Sequence, residues 1–406
     1  MQTRIHERFA ADPDVAVAES ILRSCVHCGF CNATCPTYRD LGDERDGPRG
    51  RIYLVKQFLE DGEAGDTVQR HLDRCLTCRS CETTCPSGVE YGKLADIGRR
   101  LVDSCGHRSF WQRIQRRLLL SVLPYPSRFT PLLTIGRLFR WLLPARLRHS
   151  IPVRRAAGPM PAVRHSRRVI LLGGCVQASA TPRTNAAAAR VLDRLGVSAI
   201  EADGAGCCGG VSYHLARHDA GRAFMRRNLD AWRMHVENGA EAVVSLSSGC
   251  AATLREYGFI LRDDPDYADL AAEVSHRTRD LSEILLDEDL EALEVDTAIT
   301  TALHCPCTLT HAIGAHESLR RVLQKAGVRL TATRDDNLCC GSAGTYSILQ
   351  PEMSRRLLER KIEALLGGDP GRIVTANIGC QLHIGSRAPL PVQHWIELFD
   401  RERPAD

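Results

Sequence analysis

The sequence predicts an α + α/β fold: a helical amino-terminal domain, then a duplicated α/β domain with pseudo-two-fold symmetry. Three observations predict it. Two cysteine runs of identical spacing sit among helical apolar stripes near the start, an arginine-rich stretch broken by prolines follows, and the rest of the chain repeats with a period of about 130 residues. At 406 residues the chain exceeds what one hydrophobic core usually supports, so several domains are expected.

The runs are Cys25-Val-His-Cys28-Gly-Phe-Cys31-Asn-Ala-Thr-Cys35-Pro36 and Cys75-Leu-Thr-Cys78-Arg-Ser-Cys81-Glu-Thr-Thr-Cys85-Pro86. Each reads C-x-x-C-x-x-C-x-x-x-C-P, the spacing that holds four-iron, four-sulfur clusters in two-cluster ferredoxins. Three thiolates spaced this way wrap one face of a cuboidal cluster, and the fourth, followed by proline, leaves the turn and ligates the other cluster. The expected ligand sets are Cys25, Cys28, Cys31 and Cys85 for the first cluster, and Cys35, Cys75, Cys78 and Cys81 for the second. Zinc sites and disulfide frameworks also use paired cysteines, but neither requires two complete runs ending in Cys-Pro.

Around the runs, residues 14–24 read as a helix leading into the first. Apolar residues at 52, 54, 55, 58 and 59 predict a helix over 51–60, and further helices are expected over Thr67–Arg74 and Leu94–Val102. Gly47-Pro48-Arg49-Gly50 reads as a turn before a helix. A helical ferredoxin domain with two 4Fe-4S clusters is thus expected over residues 1–103.

Residues 104–168 form an arginine-rich amphipathic segment and connector. They hold fourteen arginines and no lysine or acidic residue, so this segment carries +14 and the remainder −10 of the net +4. From Phe110 to His149 arginines alternate with Trp111, Leu118, Leu132, Leu138, Trp141 and other large apolar residues. Such a segment either lies on an anionic membrane surface or an acidic partner, or packs on its own protein as a linker. Residues 151–168 read as an extended connector.

From Arg168 two Cys-Cys-Gly modules follow, 169–296 and 297–406. The first is expected to run strand Val169–Leu172, Cys175, helix Asn185–Leu195, strand Val197–Glu201, Cys207-Cys208-Gly209, one helix from Val211 to Glu237, and strand Ala242–Leu246 before Cys250. The second runs strand Ala298–Leu303, Cys305 and Cys307, helix Glu317–Lys325, strand Val328–Thr333, Cys339-Cys340-Gly341, helix Pro351–Leu366, and strand Arg372–Ala376 before Cys380. A repeat of this kind argues for duplication. The four recurring cysteines, Cys175, Cys207, Cys208 and Cys250, then Cys307, Cys339, Cys340 and Cys380 with Cys305 extra, fall at strand ends and glycine-rich turns that open helices. Backbone amides there favour thiolates, so each set is a candidate for further Fe-S or redox chemistry. Buried structural thiols are the alternative, and isolated Cys105 is read as one.

Eighteen cysteines, many closely spaced, suit metal ligation in a reducing compartment. The first residues lack an apolar signal region, and the longest uncharged stretch, Thr297–His316, is too polar to span a bilayer. A cytoplasmic protein, peripheral on the inner membrane if the basic segment docks there, is the expectation.

These residues resemble a known family. The stretches Cys25-Val-His-Cys-Gly-Phe-Cys, Gly47-Pro-Arg-Gly-Arg-Ile-Tyr, Cys75-Leu-Thr-Cys-Arg, His304-Cys-Pro-Cys-Thr-Leu, Leu338-Cys-Cys-Gly-Ser-Ala-Gly-Thr-Tyr and Ala376-Asn-Ile-Gly-Cys are similar to those of the iron-sulfur subunit of glycolate oxidase. Anaerobic glycerol-3-phosphate dehydrogenase, lactate-utilisation proteins and heterodisulfide reductase share related architecture. The resemblance implies electron transfer from FAD on flavin-binding partner subunits, where glycolate becomes glyoxylate or D-lactate becomes pyruvate, toward a quinone or another acceptor. No G-x-G-x-x-G fingerprint in strand-turn-helix context is read in the chain, so FAD is expected only on the partners. A subunit of another 2-hydroxy-acid or glycerol-3-phosphate dehydrogenase is one competing reading. A catalytic thiol-disulfide reductase of heterodisulfide-reductase type is a second, but that family ends each module in C-x-x-C, and Ser247 and Asn377 stand at the first of those positions here. Nucleic-acid binding through the arginines is disfavoured by the lack of lysine and the leucine-rich, proline-broken context.

Overall fold

The computed structural model describes residues 2–400 apart from 107, 145–147, 149, 154 and 296. The expected ends of the basic stretch at His149 and of the second module at 406 lie outside the described residues. The amino-terminal domain is built on helices Pro13–Ser24, Pro48–Asp61, Asp66–Asp73 and Tyr91–Ser104. Asp12 caps the first by accepting a hydrogen bond from the Asp14 amide, with Pro13 at the first helical position, where no backbone N–H is needed. Gly62, at φ 78°, ends the second in the left-handed conformation that glycine adopts without strain. Their apolar faces meet in one core around Leu22, Phe58, Leu59, Leu72, Leu94 and Ile97. Each such side chain contributes about 1.5–3 kcal/mol by leaving water.

The repeat forms two parallel sheets. Strands β1 (Arg167–Leu171), β2 (Val197–Ile200), β3 (Ala242–Val244) and β4 (Thr278–Arg279) lie in the order β2-β1-β3-β4. Strands β5 (Thr301–His304), β6 (Arg372–Thr375) and β7 (Val392–His394) lie in the order β5-β6-β7. Side chains alternate between faces. Val169 and Leu171 enter the core shared by both sheets, while Ile170 and Leu172 pack on the outer helix His218–Glu237 with Met225, Leu229 and Trp232. In the second sheet Leu303 and Val374 face the shared core and Ala302 and Ile373 face outward. Val169–Leu172 and Ala242–Val244 are buried on both faces and read as continuous apolar runs.

The structure corrects three expectations. The strand expected over Val328–Thr333 is a single bridge between Leu330 and Thr301, on the edge that β2 occupies in the first sheet. The polar run Thr331-Ala-Thr-Arg-Asp-Asp-Asn337 has no apolar face to bury there. The helix expected from Val211 to Glu237 is two, Gly210–His214 and His218–Glu237. The break at Ala216, left-handed at φ 65°, lets Gly221 approach Gly209. β4 and β7 were not expected at all; each is a two- or three-residue edge strand, too short for a period to register.

Ion pairs and hydrogen bonds seat the helical domain on both copies. Asp14 pairs with Arg262, Asp96 with His214 and Arg79 with Glu256 in the first. Asp40 pairs with Arg356 and Arg360, and Tyr346 donates to the Arg74 carbonyl, in the second. The arginine-rich stretch forms helices Phe110–Val122 and Pro126–Leu138, the first opened by a Ser109–Gln112 capping box. Only Leu133 of these two helices is buried, whereas Trp111, Leu138 and Trp141 are about 70% exposed. Arg116 pairs with Asp73, and Arg137 donates to the carbonyls of Pro152 and Ala180, so part of the positive charge is internal.

Candidate metal centres

The two cysteine runs fold alike. His27 and Gly29 in the first, and Thr77 and Arg79 in the second, are left-handed at φ 56°, 85°, 52° and 60°. A short helix follows each, Phe30–Ala33 and Ser80–Thr83. Alternating left-handed residues turn successive N–H groups toward one concavity, which suits an anionic sulfur-rich ligand. Three of the four residues are not glycine, and such conformations cost of order 1–3 kcal/mol each and cluster at functional sites.

Cys25, Cys28, Cys31 and Cys85 line one pocket, with Arg49 and Cys81 on its wall. Cys85 is among the thiol neighbours of Cys25 and Cys31, and Cys35 among those of Cys78 and Cys81. The fourth cysteine of each run therefore lies beside thiols of the other run. Burial pushes the Cys31 thiol up to about 11, and burial with repulsion from neighbouring thiols pushes Cys78 and Cys81 well above the ordinary value. Crowded, desolvated thiols of this kind fit a cationic iron core, which supplies the missing positive charge.

The two sets differ in surroundings. Cys28 is exposed, beside exposed Val26, Phe30 and Tyr53. The second set is enclosed, and Leu76 and Cys78 pack against Cys307, Cys339, Tyr346 and Leu357 of the second module. Two buried guanidinium groups flank it. Arg51 donates to Thr37 Oγ1 at 3.0 Å and the His71 carbonyl at 2.7 Å, with Nη1 3.9 Å from Cys35 Sγ. Arg99 donates to the carbonyls of Cys75 and Leu72 and to Thr77 Oγ1, at 2.6, 3.0 and 2.8 Å. Burial opposes ionisation of Cys75, but these two cations outweigh it and hold that thiol below its ordinary value. Neither arginine stood out in the sequence. Of Gly47-Pro48-Arg49-Gly50, expected as a turn before a helix, only Gly47 precedes the helix and the other three open it; the Arg49 amide donates to Cys31, and a Cβ on Gly50 would lie 2.0 Å from the Glu44 carbonyl oxygen.

In each module the four recurring cysteines meet. Cys207 contacts Cys175 and Cys208, and Cys208 contacts Cys250. In the second copy Cys307 and Cys339 lie 3.9 Å apart, Cys339 contacts Cys340, and Cys340 and Cys380 lie 3.1 Å apart. Hydrogen bonds from neighbouring thiols favour one thiolate per set, Cys208 in the first and Cys339 in the second. The glycine after each pair is required. Gly209 and Gly341 are left-handed, at φ 86° and 84°, and a Cβ on either would lie 2.6 Å from a carbonyl oxygen, of Gly221 and Ser354 respectively. Cys305 does not join its neighbours' cluster; it lies in the shared apolar core, where burial pushes its thiol up to about 12. Cys105 packs on the helical core and donates to the Leu101 carbonyl, as a structural thiol does.

Ser247 and Asn377 face each other across the pseudo-two-fold axis, with Ser247 Oγ donating to Asn377 Oδ1 at 3.0 Å. The positions that would complete a C-x-x-C are thus occupied by a hydrogen bond between the copies. One reading of the sequence needs correction here. Gly204-Ala-Gly206-Cys-Cys-Gly209 does match G-x-G-x-x-G between β2 and helix Gly210–His214, but that helix has five residues and the Gly209 amide donates to Cys207 Sγ at 3.5 Å. The turn serves sulfur rather than a pyrophosphate.

A dicluster helical domain seated on two cysteine-rich α/β copies defines the class: iron-sulfur proteins that carry electrons singly. Comparison places the chain within it. Residues 21–89 match the family model of the 4Fe-4S dicluster domain, and 169–255 and 301–385 match that of the cysteine-rich domain. The glycolate oxidase iron-sulfur subunit of Escherichia coli (strain K12) is 50% identical over 402 residues, 99% of each chain. The probable glycolate oxidase iron-sulfur subunit of Bacillus subtilis (strain 168) is 29% identical, covering 90% of this chain and 89% of that one. Lactate utilization protein A of the same organism is 29% identical over 50% of this chain and 83% of its own. A crystal structure of a hypothetical protein from Helicobacter pylori shares the fold, with a TM-score of 0.56 over 97% of this chain and 74% of that one at 9% identity. The chain belongs to the glycolate oxidase iron-sulfur subunit family.

Proposed function

We propose that this chain is the electron-transfer subunit of a flavin-dependent complex that oxidises glycolate to glyoxylate, and that it relays the electrons toward a quinone or another acceptor. The observation that carries the reading is the pair of crossed cysteine sets, one reaching the surface at Cys28 and one enclosed against the second module. Cys25, Cys28, Cys31 and Cys85 would hold one 4Fe-4S cluster, and Cys35, Cys75, Cys78 and Cys81 the other. When bound, each cluster takes and gives one electron, which divides a flavin's pair. The chain's own residues desolvate these sites, place Arg49, Arg51 and Arg99 beside them, and leave the apolar patch of Val26, Phe30 and Tyr53 for a flavin-bearing partner to cover. The names of the full-length relatives favour glycolate over D-lactate, because the lactate-utilisation relatives match half of this chain. The Ser247–Asn377 pair argues against a disulfide reductase.

Rapid-freeze electron paramagnetic resonance on the complex assembled with its flavin-binding subunits tests the reading. Mixing with glycolate should produce reduced-cluster signals during the first turnovers. Clusters that stay oxidised while glyoxylate forms at full rate would end it.

The basic helical pair would attach the complex to an anionic membrane surface. Its uncovered Trp111, Leu118 and Leu138 and the exposed Arg113 and Arg117 support this, and no helix among the described residues is long and apolar enough to cross a membrane. Replacing Arg113 and Arg117 by Gln should shift the protein toward the soluble fraction, each lost charge weakening attachment by about 1 kcal/mol. Unchanged fractionation would show that the pair does not hold the complex to a membrane.

A further inference from the structure

The second cysteine run is followed by a buried phenol that the first lacks. Tyr91 opens helix Tyr91–Ser104, six residues after Cys85, and Gly88, left-handed at φ 61°, closes the turn between them by donating to the Cys85 carbonyl at 3.3 Å. The runs are offset by 50 residues, 25 against 75, so the matching position after the first is Leu41, which is 37% exposed. Tyr91 is 4% exposed and lies in the helical core with Leu94, Cys25, Cys75 and Cys81. Its hydroxyl is buried and finds no partner of full hydrogen-bond geometry among the described residues. An orphaned buried hydroxyl costs about 1–3 kcal/mol, so this one calls for an acceptor.

Sulfur is the acceptor at hand. Burial raises the phenol well above its ordinary value, and the adjoining Cys75, which the hydroxyl contacts, raises it further. Arg51 is the next charged neighbour, but a guanidinium only donates. A neutral thiol accepts weakly, whereas a thiolate ligating iron is a charged acceptor. The same helix carries Arg99, which holds the Cys75 carbonyl at 2.6 Å, so two donors reach this one ligand from a single rigid element. The ring of Tyr91 also lines the pocket of Cys25, Cys28, Cys31 and Cys85. The phenol thus stands between the two cysteine sets with its hydroxyl on the enclosed one.

We infer that Tyr91 is a positioning residue for electron transfer: its hydroxyl donates to Cys75 Sγ and stabilises the reduced form of the enclosed cluster, while its ring only borders the surface cluster. A hydrogen bond to a ligand sulfur spreads the extra negative charge of the reduced state and raises the potential. The phenol therefore favours passage of an electron from the surface site inward. The inference rests on the reading of Cys75 as a cluster ligand.

Tyr91→Phe removes one oxygen and keeps the ring. The test is a redox titration of the anaerobically purified full chain followed by electron paramagnetic resonance, with iron counted in parallel and the enclosed cluster's signal identified by its loss in Cys75→Ser. The variant should retain about eight irons per chain. At a given potential the reduced-to-oxidised ratio of its enclosed cluster should fall at least about threefold, a downward shift of about 30 mV at about 59 mV per tenfold, and the surface cluster should not move. In deuterium oxide the enclosed cluster of the unaltered chain should show a deuteron coupling that Tyr91→Phe lacks. Unchanged potentials at full iron content, or a shift equal at both clusters or confined to the surface one, would overturn the inference. So would loss of about four irons, which would make the phenol a part needed to build the site and not one that tunes it. Fewer than two cluster signals in the unaltered chain would overturn the underlying reading, and this inference with it.

Discussion

At the scale of single residues, the buried cations around the enclosed cysteine set decide its electrical character. Arg51 and Arg99 are 1% and 7% exposed; each has a buried carboxylate nearby, Asp46 at 3.4 Å and Asp96 at 3.7 Å, and both still act on the Cys75 thiol and hold it below its ordinary value. A fixed positive charge favours the more negative, reduced form of a cluster. Arg51→Met and Arg99→Met should therefore each lower the potential of the enclosed cluster by about 50 mV or more, since 59 mV is a tenfold change for one electron. The cluster at Cys28 should shift much less. A redox titration followed by electron paramagnetic resonance measures both, and equal shifts at the two sites would contradict the assignment of these arginines to the enclosed one. Neither arginine was legible in the sequence, because burial of a charged side chain is a property of three elements meeting.

At the scale of elements, much was legible. Apolar residues at helical spacing placed the helices Pro48–Asp61 and Pro351–Leu366, and the agreement of cysteine offsets placed equivalent strands in both copies. What failed was of three kinds. Two edge strands are too short to show a period. One expected strand keeps a single bridge because its continuation is polar. One expected helix breaks at Ala216, where the close approach of Gly221 to Gly209 decides the backbone and local propensity does not. The repeated Cys-Cys-Gly turn was legible as a motif, but not its reason: the same glycine φ and the same 2.6 Å approach to a carbonyl oxygen in both copies.

At the scale of the whole molecule, the helical domain bridges two copies that share one core, and the joint with the first copy is titratable. Asp96 is buried at that joint against His214, with Arg99 3.7 Å away. Burial alone would lower the His214 value, but the Asp96 carboxylate outweighs it and raises the imidazole above 6.5; the same pairing holds Asp96 down to about 2. The stability that His214 contributes is complete below 6.5 and is lost as pH rises through its raised value. The Asp96 contribution is present above 3.8 and fades as pH falls toward about 2. His214→Gln should therefore lower the melting temperature more at pH 6 than at pH 9, and a deficit independent of pH would show that the pair is not ionised in the folded protein.

The central claim is that each cluster is built from both cysteine runs, one cluster reaching the surface and the other bedded against the second module. Cys35→Ser tests it most directly, read by electron paramagnetic resonance of the anaerobically purified, dithionite-reduced chain. The account predicts loss or alteration of the signal from the cluster of Cys75, Cys78 and Cys81, with the signal of the cluster at Cys25, Cys28 and Cys31 intact. A change confined to the latter would mean that each run closes on its own cluster, and would contradict the crossed arrangement.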